Sequence, residues 1–148
     1  MTLTGDYEPG ASAWAADQVA EYEASDGTRN NTIQGRPIVV ITSRGARSGK
    51  LRKNPVMRVE HDGVYAAVAS KGGAPDNPAW YHNLLAHPLV DLQDGPEPRP
   101  YVARLLAGAE REQWWERCVA AFPPYAEYAG KTDREIPVFV LEPSPATS

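Results

Sequence analysis

One cysteine is all that the 148 residues contain, and that scarcity excludes an internal disulfide and any multi-cysteine metal cage. Cys118 sits in WWERCVAAF, where a small buried hydrophobe is expected and no catalytic role is assigned to it. No run of about 18 apolar residues is present to cross a bilayer, and MTLTGDYEPG has neither the basic nor the apolar region of a secretory signal. A soluble, cytoplasmic protein is therefore expected, with peripheral membrane contact through an N-terminal helix left open. The three histidines, His61, His82 and His87, fall in a turn, on an exposed helix side and before a terminating proline, so no metal-ligand spacing emerges and no metal is assigned. There is also no G-x-S-x-G elbow, no P-loop and no G-x-G-x-x-G fingerprint.

Acidic residues are missing from one long segment. Between Gly27 and Val59 there is no Asp or Glu, while Arg29, Arg36, Arg44, Arg47, Lys50, Arg52, Lys53 and Arg58 are all cations. Since the whole chain carries −4, the remainder carries −12, a balance that repels long polyanions and argues against nucleic acid as the partner. Charge alone leaves two readings open, a solvated basic loop or a site for a small anion. Spacing favours the second. Ile38 to Thr42 reads as a buried strand, after which Gly45 and Gly49 free the backbone to turn while Arg47, Ser48 and Arg52 offer donors.

Length and a 42% hydrophobic content suit one compact domain with a core. The predicted order begins with a helix over about 11–24, weakly amphipathic, that either covers a pocket mouth or moves. A strand over 38–42 is followed by a hairpin of 55–60 and 64–70 around His61-Asp62-Gly63. A helix starting with Asn77 as cap and Pro78 at its first position puts Trp80, Leu84 and Leu85 on one face. Strands over 89–93 and 100–106, a helix over 109–122 and a strand over 136–141 complete the chain, and the polar, proline-rich tail is expected to be disordered. This order lacks regular strand–helix alternation and favours an α+β fold, a small, mostly antiparallel barrel with attached helices. Residues 1–30 read as a helical lead-in, 31–143 as the barrel domain and 144–148 as the tail.

Several motifs in sequence carry a resemblance. TSRGARSGKLRKNPV, ASKGGAPDNPAWYHNLLAHPLV and FPPYAEYAGKTDREIPVFVLEP, within a match from about Ile33 to Pro143, are similar to the deazaflavin-dependent nitroreductases of actinobacteria. The resemblance implies a split β-barrel like that of flavin-binding pyridoxamine phosphate oxidases, holding coenzyme F420, an 8-hydroxy-5-deazaflavin with a phosphodiester and a glutamate tail. It further implies that Ala46, Arg47, Ser48 and Arg52 hold the phosphate and acidic tail. Asn54, Pro55, Val56 and Met57, with Ala69, Ser70 and Lys71, would line the deazaflavin and its ribityl chain. Ala79, Trp80 and Asn83 would pack beside the coenzyme from a helix.

On the substrate side, Phe122, Tyr125 and Tyr128 recur every three residues. The resemblance implies that they cover the reactive face of the coenzyme, with Tyr125 orienting substrate or supplying a proton. Phe122 and Met57 stand where some relatives have tyrosine, which removes two hydroxyls a nitro group could bond and argues against efficient reduction of bicyclic nitroimidazoles. The implied activity is hydride transfer from reduced F420 to a quinone, an enone or an activated nitro compound. Two alternatives stay open: a coenzyme carrier without turnover, or a barrel that binds FMN or haem. Monomer and homodimer are both compatible with the sequence.

Overall fold

A computed structural model describes residues 2–144. Residues 145–148, where most of the expected disordered tail falls, lie outside the described residues. Helix α1 (Ala13–Ala24) precedes β1 (Thr32–Ile33), β2 (Arg36–Arg44), β3 (Leu51–Met57), β4 (Val59–His61) and β5 (Val64–Val68). A short 3-10 turn (Lys71–Gly73) leads to α2 (Ala79–Ala86), β6 (Leu89–Gln93) and β7 (Pro98–Leu105). Then come α3 (Gly108–Ala121), α4 (Pro124–Lys131) and β8 (Val138–Pro143).

All the named strands join one antiparallel sheet in the order β1-β2-β6-β7-β8-β5-β4, with β3 paired along the other edge of β2. Only Arg58 separates β3 from β4, yet β3 pairs with β2 and β4 with β5, at opposite ends of the sheet. The chain thus crosses from one end of the curled sheet to the other at Arg58. Between the first half of β3 and the end of β5 no strand pairing closes the curl, and the result is a split α+β barrel. Pro55, which has no N–H to give, fits such an edge strand.

Both sheet faces are covered, so consecutive residues of β2 and β8 are buried on alternate sides. Ile38, Val40, Val138 and Val140 belong to a core shared with Val19 and Tyr22 of α1 and with Trp114 and Cys118 of α3. Val39, Ile41, Phe139 and Leu141 face a second core capped by Leu84 of α2. That double burial explains why these strands read as unbroken apolar runs rather than alternating ones.

The N-terminal segment is tied to the sheet. Asp91, fully buried on β6, accepts the amides of Thr2 and Leu3 at 3.1 and 2.8 Å. Asp6 and Glu8 then pair with Leu51 of β3 through their backbone, at 2.7 and 2.9 Å. Helix α1 docks through Gln18, whose amide donates to the carbonyls of Asn30 and Thr32, both at 2.9 Å. The Tyr22 hydroxyl of α1 donates to Gln93 O at the end of β6 and accepts from Gly95 N–H just beyond it.

Several expected boundaries shift. Strand β3 begins at Leu51 rather than residue 55, so Gly45 to Lys50 is the connection of an antiparallel hairpin; Arg52 and Lys53 hid the strand because their half-buried stems look like loop charge. Asn77 does not cap α2. Pro78 occupies the cap position, and the Asn77 side-chain oxygen is taken at 2.7 Å by Arg134, a charged donor that outcompetes a helix amide. Leu85, expected on the buried face, is 48% exposed. The last strand, expected over 136–141, runs instead from Val138 to Pro143, with Glu142 and Pro143 pairing with Val102 and Tyr101.

Cys118 is fully buried, and burial pushes its thiol from 9.0 up to about 12. Between those values the folded protein keeps a proton that the unfolded chain has lost, so this group's contribution to stability declines as pH rises from about 9 to about 12. Thiol titration should show Cys118 unreactive in the native protein at pH 8 and fully reactive in denaturant. Phe139, 1% exposed and in ring contact with Trp80 and Tyr81 of α2, anchors that helix to the sheet. Chemical denaturation of Phe139→Ala should show a loss of about 3–5 kcal/mol, and Phe139→Leu clearly less.

Candidate functional site

Three recesses run end to end along the split. The first, about 520 Å3, is walled by the Gly45–Ser48 turn, Arg52 and Glu8, with Ala79, His82 and Asn83 of α2 opposite. The second, about 380 Å3, shares Arg52, Ala79 and Asn83 with it and continues past Lys53, Asn54, Lys71 and Trp80. The third, about 320 Å3, takes over from Lys71, Pro78 and Trp80 and ends among Met57, Phe122, Tyr125 and Tyr128. Shared walls make them one continuous cleft, cationic at one end and apolar and aromatic at the other. Volumes of this order suit a cofactor-sized ligand.

The cationic end is built by the β2–β3 turn. Gly45 N–H donates to Lys50 O at 2.7 Å and Gly49 N–H to Gly45 O at 3.1 Å, while the Ser48 hydroxyl accepts Lys50 N–H at 3.1 Å. A Cβ on Gly45 would come within 2.8 Å of that hydroxyl and 3.3 Å of Lys50 O, so a larger residue there would have to turn the Ser48 side chain away. Asn83, buried on α2, accepts the amide of Ala46 at 2.9 Å and fixes the turn against the helix. Arg47 is exposed at the mouth and has neither an ion pair nor a hydrogen bond among the described residues.

The other cleft cations are each held by a carboxylate of the same chain. Arg52 meets Glu8 at 2.9 Å, Lys53 meets Glu23 of α1 at 2.7 Å and Lys71 meets Asp76 at 3.0 Å. The Lys71 ammonium holds the Asp76 carboxyl below the usual carboxylate range. With side-chain exposures of 28% for Arg52 and 43% for Glu8, the first pair is a solvent-screened contact of about 0–1 kcal/mol. An incoming anion with two charges can displace such a partner. These donors suit phosphate and carboxylate groups, and the strip from Pro55 to Met57 suits a flat apolar ring; the residues present therefore fit an anionic, ring-bearing coenzyme.

At the aromatic end, Phe122 follows α3 and Tyr125 and Tyr128 lie on α4, as their spacing predicts for one side of a helical turn. Their rings pack edge to face, with centroids 4.9 Å apart for Phe122–Tyr125 and 6.3 Å for Tyr125–Tyr128. Burial drives the Tyr125 phenol well above its ordinary value, with smaller contributions from Cys118 and Tyr128. It stays protonated through the physiological range and is a weaker acid than free tyrosine.

The structure brings Ala46, Arg47, Ser48, Arg52, Asn54, Pro55, Val56, Met57, Ser70, Lys71, Ala79, Trp80, Asn83, Phe122, Tyr125 and Tyr128 to the walls of this one cleft. Ala69 stands apart. It is fully buried, its amide donating to Pro137 O and its carbonyl accepting from Arg134. Trp80, whose default reading is plain core, is half-buried, touching Phe139 with one side and lining the cleft with the other. Sequence reasoning missed Tyr7 and Glu8, because a loosely patterned N-terminus gives no hint that it lies along β3. It also passed over Trp14, 62% exposed on α1 at the aromatic end, and Arg134, whose TDREIP motif was visible but had no assigned task. A separate recess of about 520 Å3 beside Gly63, Arg99 and Tyr101 shares no wall with the cleft.

Known proteins match this architecture. The family model for F420H2-dependent quinone reductases matches residues 14–143. An F420H2-dependent quinone reductase of Mycobacterium tuberculosis is 31% identical over 126 residues, covering 82% of this chain and 85% of that protein. Among solved structures, an F420-H2 dependent reductase (FDR-A) is 58% identical, covers 72% of this chain and 95% of its own, and superposes with a TM-score of 0.69. A domain-swapped dimer is 52% identical over 86% of this chain and 93% of its own, with a TM-score of 0.71. The heme storage protein HutZ of Vibrio cholerae, 14% identical with a TM-score of 0.56, shares the fold alone. With this match over nearly the whole sequence, the chain belongs to the F420H2-dependent quinone reductases, an enzyme family whose coenzyme is F420.

Proposed function

We propose that this protein reduces a quinone with reduced F420, and that the cleft along the split carries out the reaction. One observation supports this above all: the cations and the aromatic cluster line a single continuous groove. A ligand with an acidic end and a redox ring at the other can therefore satisfy both at once. When bound, reduced F420 supplies a hydride and the protein supplies binding, alignment and exclusion of water. Arg47, Arg52 and the Ser48 turn hold the phosphate and the acidic tail. Asn54 to Met57, Ser70 and Lys71 form the bed for the ring, and Trp80 and Asn83 close it from α2.

The acceptor enters between Met57, Phe122, Tyr125 and Tyr128, with Trp14 at the rim. Tyr125 orients it by donating a hydrogen bond from its hydroxyl. Because burial raises that phenol, complete proton transfer to a phenolate-like product is unfavourable, and water at the open rim is the proton source. The apolar walls favour flat quinones over enones and nitro compounds. Phe122 and Met57 offer no hydroxyl to a nitro group, so nitroimidazoles are poor substrates. A homodimer is the assembly favoured by the domain-swapped neighbour.

Fluorescence titration with F420 should give a Kd for Arg52→Ala roughly tenfold or more above wild type, the loss of about one charge-assisted contact. Glu8→Gln, which removes the competing carboxylate, should tighten binding by about two- to five-fold. Tyr125→Phe should leave Kd unchanged and lower kcat with menadione by roughly fivefold, the value of one neutral hydrogen bond. Reoxidation of the reduced coenzyme by menadione, a cyclohexenone and a nitroimidazole should rank in that order. Unchanged affinity in Arg52→Ala, or uptake of FMN in preference to F420, would overturn the reading.

A further inference from the structure

The wall between the two halves of the cleft is a loop, residues 69–77, with an unfavourable backbone. Lys71 lies in the left-handed region at φ 48°, followed by Gly72 at 65° and Gly73 at 84°. Three left-handed residues in a row are uncommon, and a lysine among them persists only where its surroundings hold it. Besides its own backbone bonds, Gly73 N–H to Ser70 O and Ala74 N–H to Lys71 O, the turn is gripped at both ends by one side chain from a distant part of the sequence. Arg134, between α4 and β8, donates from Nε to Ala74 O at 3.0 Å and from Nη2 to Ser70 O at 2.8 Å. Its Nη1 donates to Ala69 O at 3.1 Å and to Asn77 Oδ1 at 2.7 Å. Four of the five guanidinium hydrogens are thus spent on both ends of one loop, and the Lys71–Gly73 turn bulges between them.

Gly73 locks the same loop to α4. A Cβ there would lie 3.0 Å from Tyr128 O and 3.1 Å from the Tyr128 Cα and the Lys131 Cβ, so the loop packs directly against the backbone of the helix that carries Tyr125 and Tyr128. Lys71, at the crest of the bulge, lines the recesses on both sides of it.

We infer that Arg134 is the positioning residue of the cleft: by gripping Ala69, Ser70, Ala74 and Asn77 it fixes the left-handed turn that presents Lys71, and keeps that wall in register with α4. The inference rests on the proposed coenzyme site for its functional consequence, while the grip itself is independent of it. A lysine at 134 keeps the charge but has one nitrogen in place of three, so it cannot hold both ends of the loop.

The test is a double-mutant cycle with hydrogen exchange, on wild type, Arg134→Lys, Lys71→Ala and the double variant. In coenzyme-free protein, exchange of the Gly73 and Ala74 amides should accelerate at least tenfold in Arg134→Lys. Its Kd for F420 should rise about tenfold, yet by less than twofold when the change is made in the Lys71→Ala background, because the arginine acts through that lysine. Asn77→Ala, which removes one of the four acceptors, should move both readouts in the same direction by less. Tyr65→Phe, which breaks the 2.5 Å bond to Asp94 elsewhere in the fold, serves as a stability control and should leave Kd unchanged. An unchanged exchange rate in Arg134→Lys would overturn the inference, as would a Kd within twofold of wild type or a full multiplicative loss in the double variant. Failure of wild type to bind F420 would instead remove the proposed function, with the exchange rates still deciding whether Arg134 holds the loop.

Discussion

Everything at the site follows from β3 and β4 being nearly one strand shared between two places in the sheet. Seven residues pair with β2, one residue later the chain pairs with β5, and a strand cannot lie flush against both neighbours along its whole length. The sheet therefore parts where β3 and β5 diverge. Backbone edges left open in this way normally invite another strand. Here the parting is bordered by α1, α2, the 69–77 loop and α4, and the space between them is the cleft. Its two chemistries come from the two ends of the same strand: β3 starts at the cationic turn and ends at Met57 among the aromatic rings.

Charge within the cleft is balanced in advance. Glu8, Glu23 and Asp76 each meet a cation that would otherwise face its neighbours unpaired, a device that limits self-repulsion in a basic groove. Because these pairs are at least partly exposed, they cost little to exchange for a ligand's phosphate or carboxylate. Two of the three acids come from the N-terminal 24 residues, so the segment before the barrel contributes to the electrostatics of the groove as well as to its cover. Its attachment through Asp91 and Leu51 is what brings Glu8 there.

The fold was legible where local pattern decides it. Turn chemistry at Asp62-Gly63, the 89–93 strand and the spacing of Phe122, Tyr125 and Tyr128 correspond to β4–β5, β6 and the start of α4. The split barrel itself came from ordered motifs rather than from periodicity, since doubly covered strands such as Ile38–Ile41 do not alternate. What stayed hidden was long-range. Nothing near Glu8 in the sequence announces Arg52, and nothing near Asn77 announces Arg134, 57 residues away, which turned an expected helix cap into part of a clamp. Ala69, grouped with its neighbours by motif, proved to be buried just past the end of β5, where its amide and carbonyl are taken by Pro137 and Arg134.

The most direct test of the account is a crystal structure of the protein with F420 bound. The account predicts the coenzyme along the split, its acidic end beside Arg47 and Arg52 and its ring between Met57, Lys71 and Tyr125, with Glu8 displaced from Arg52. Density in the recess at Gly63, Arg99 and Tyr101, or a ring at the Arg47 end, would contradict it.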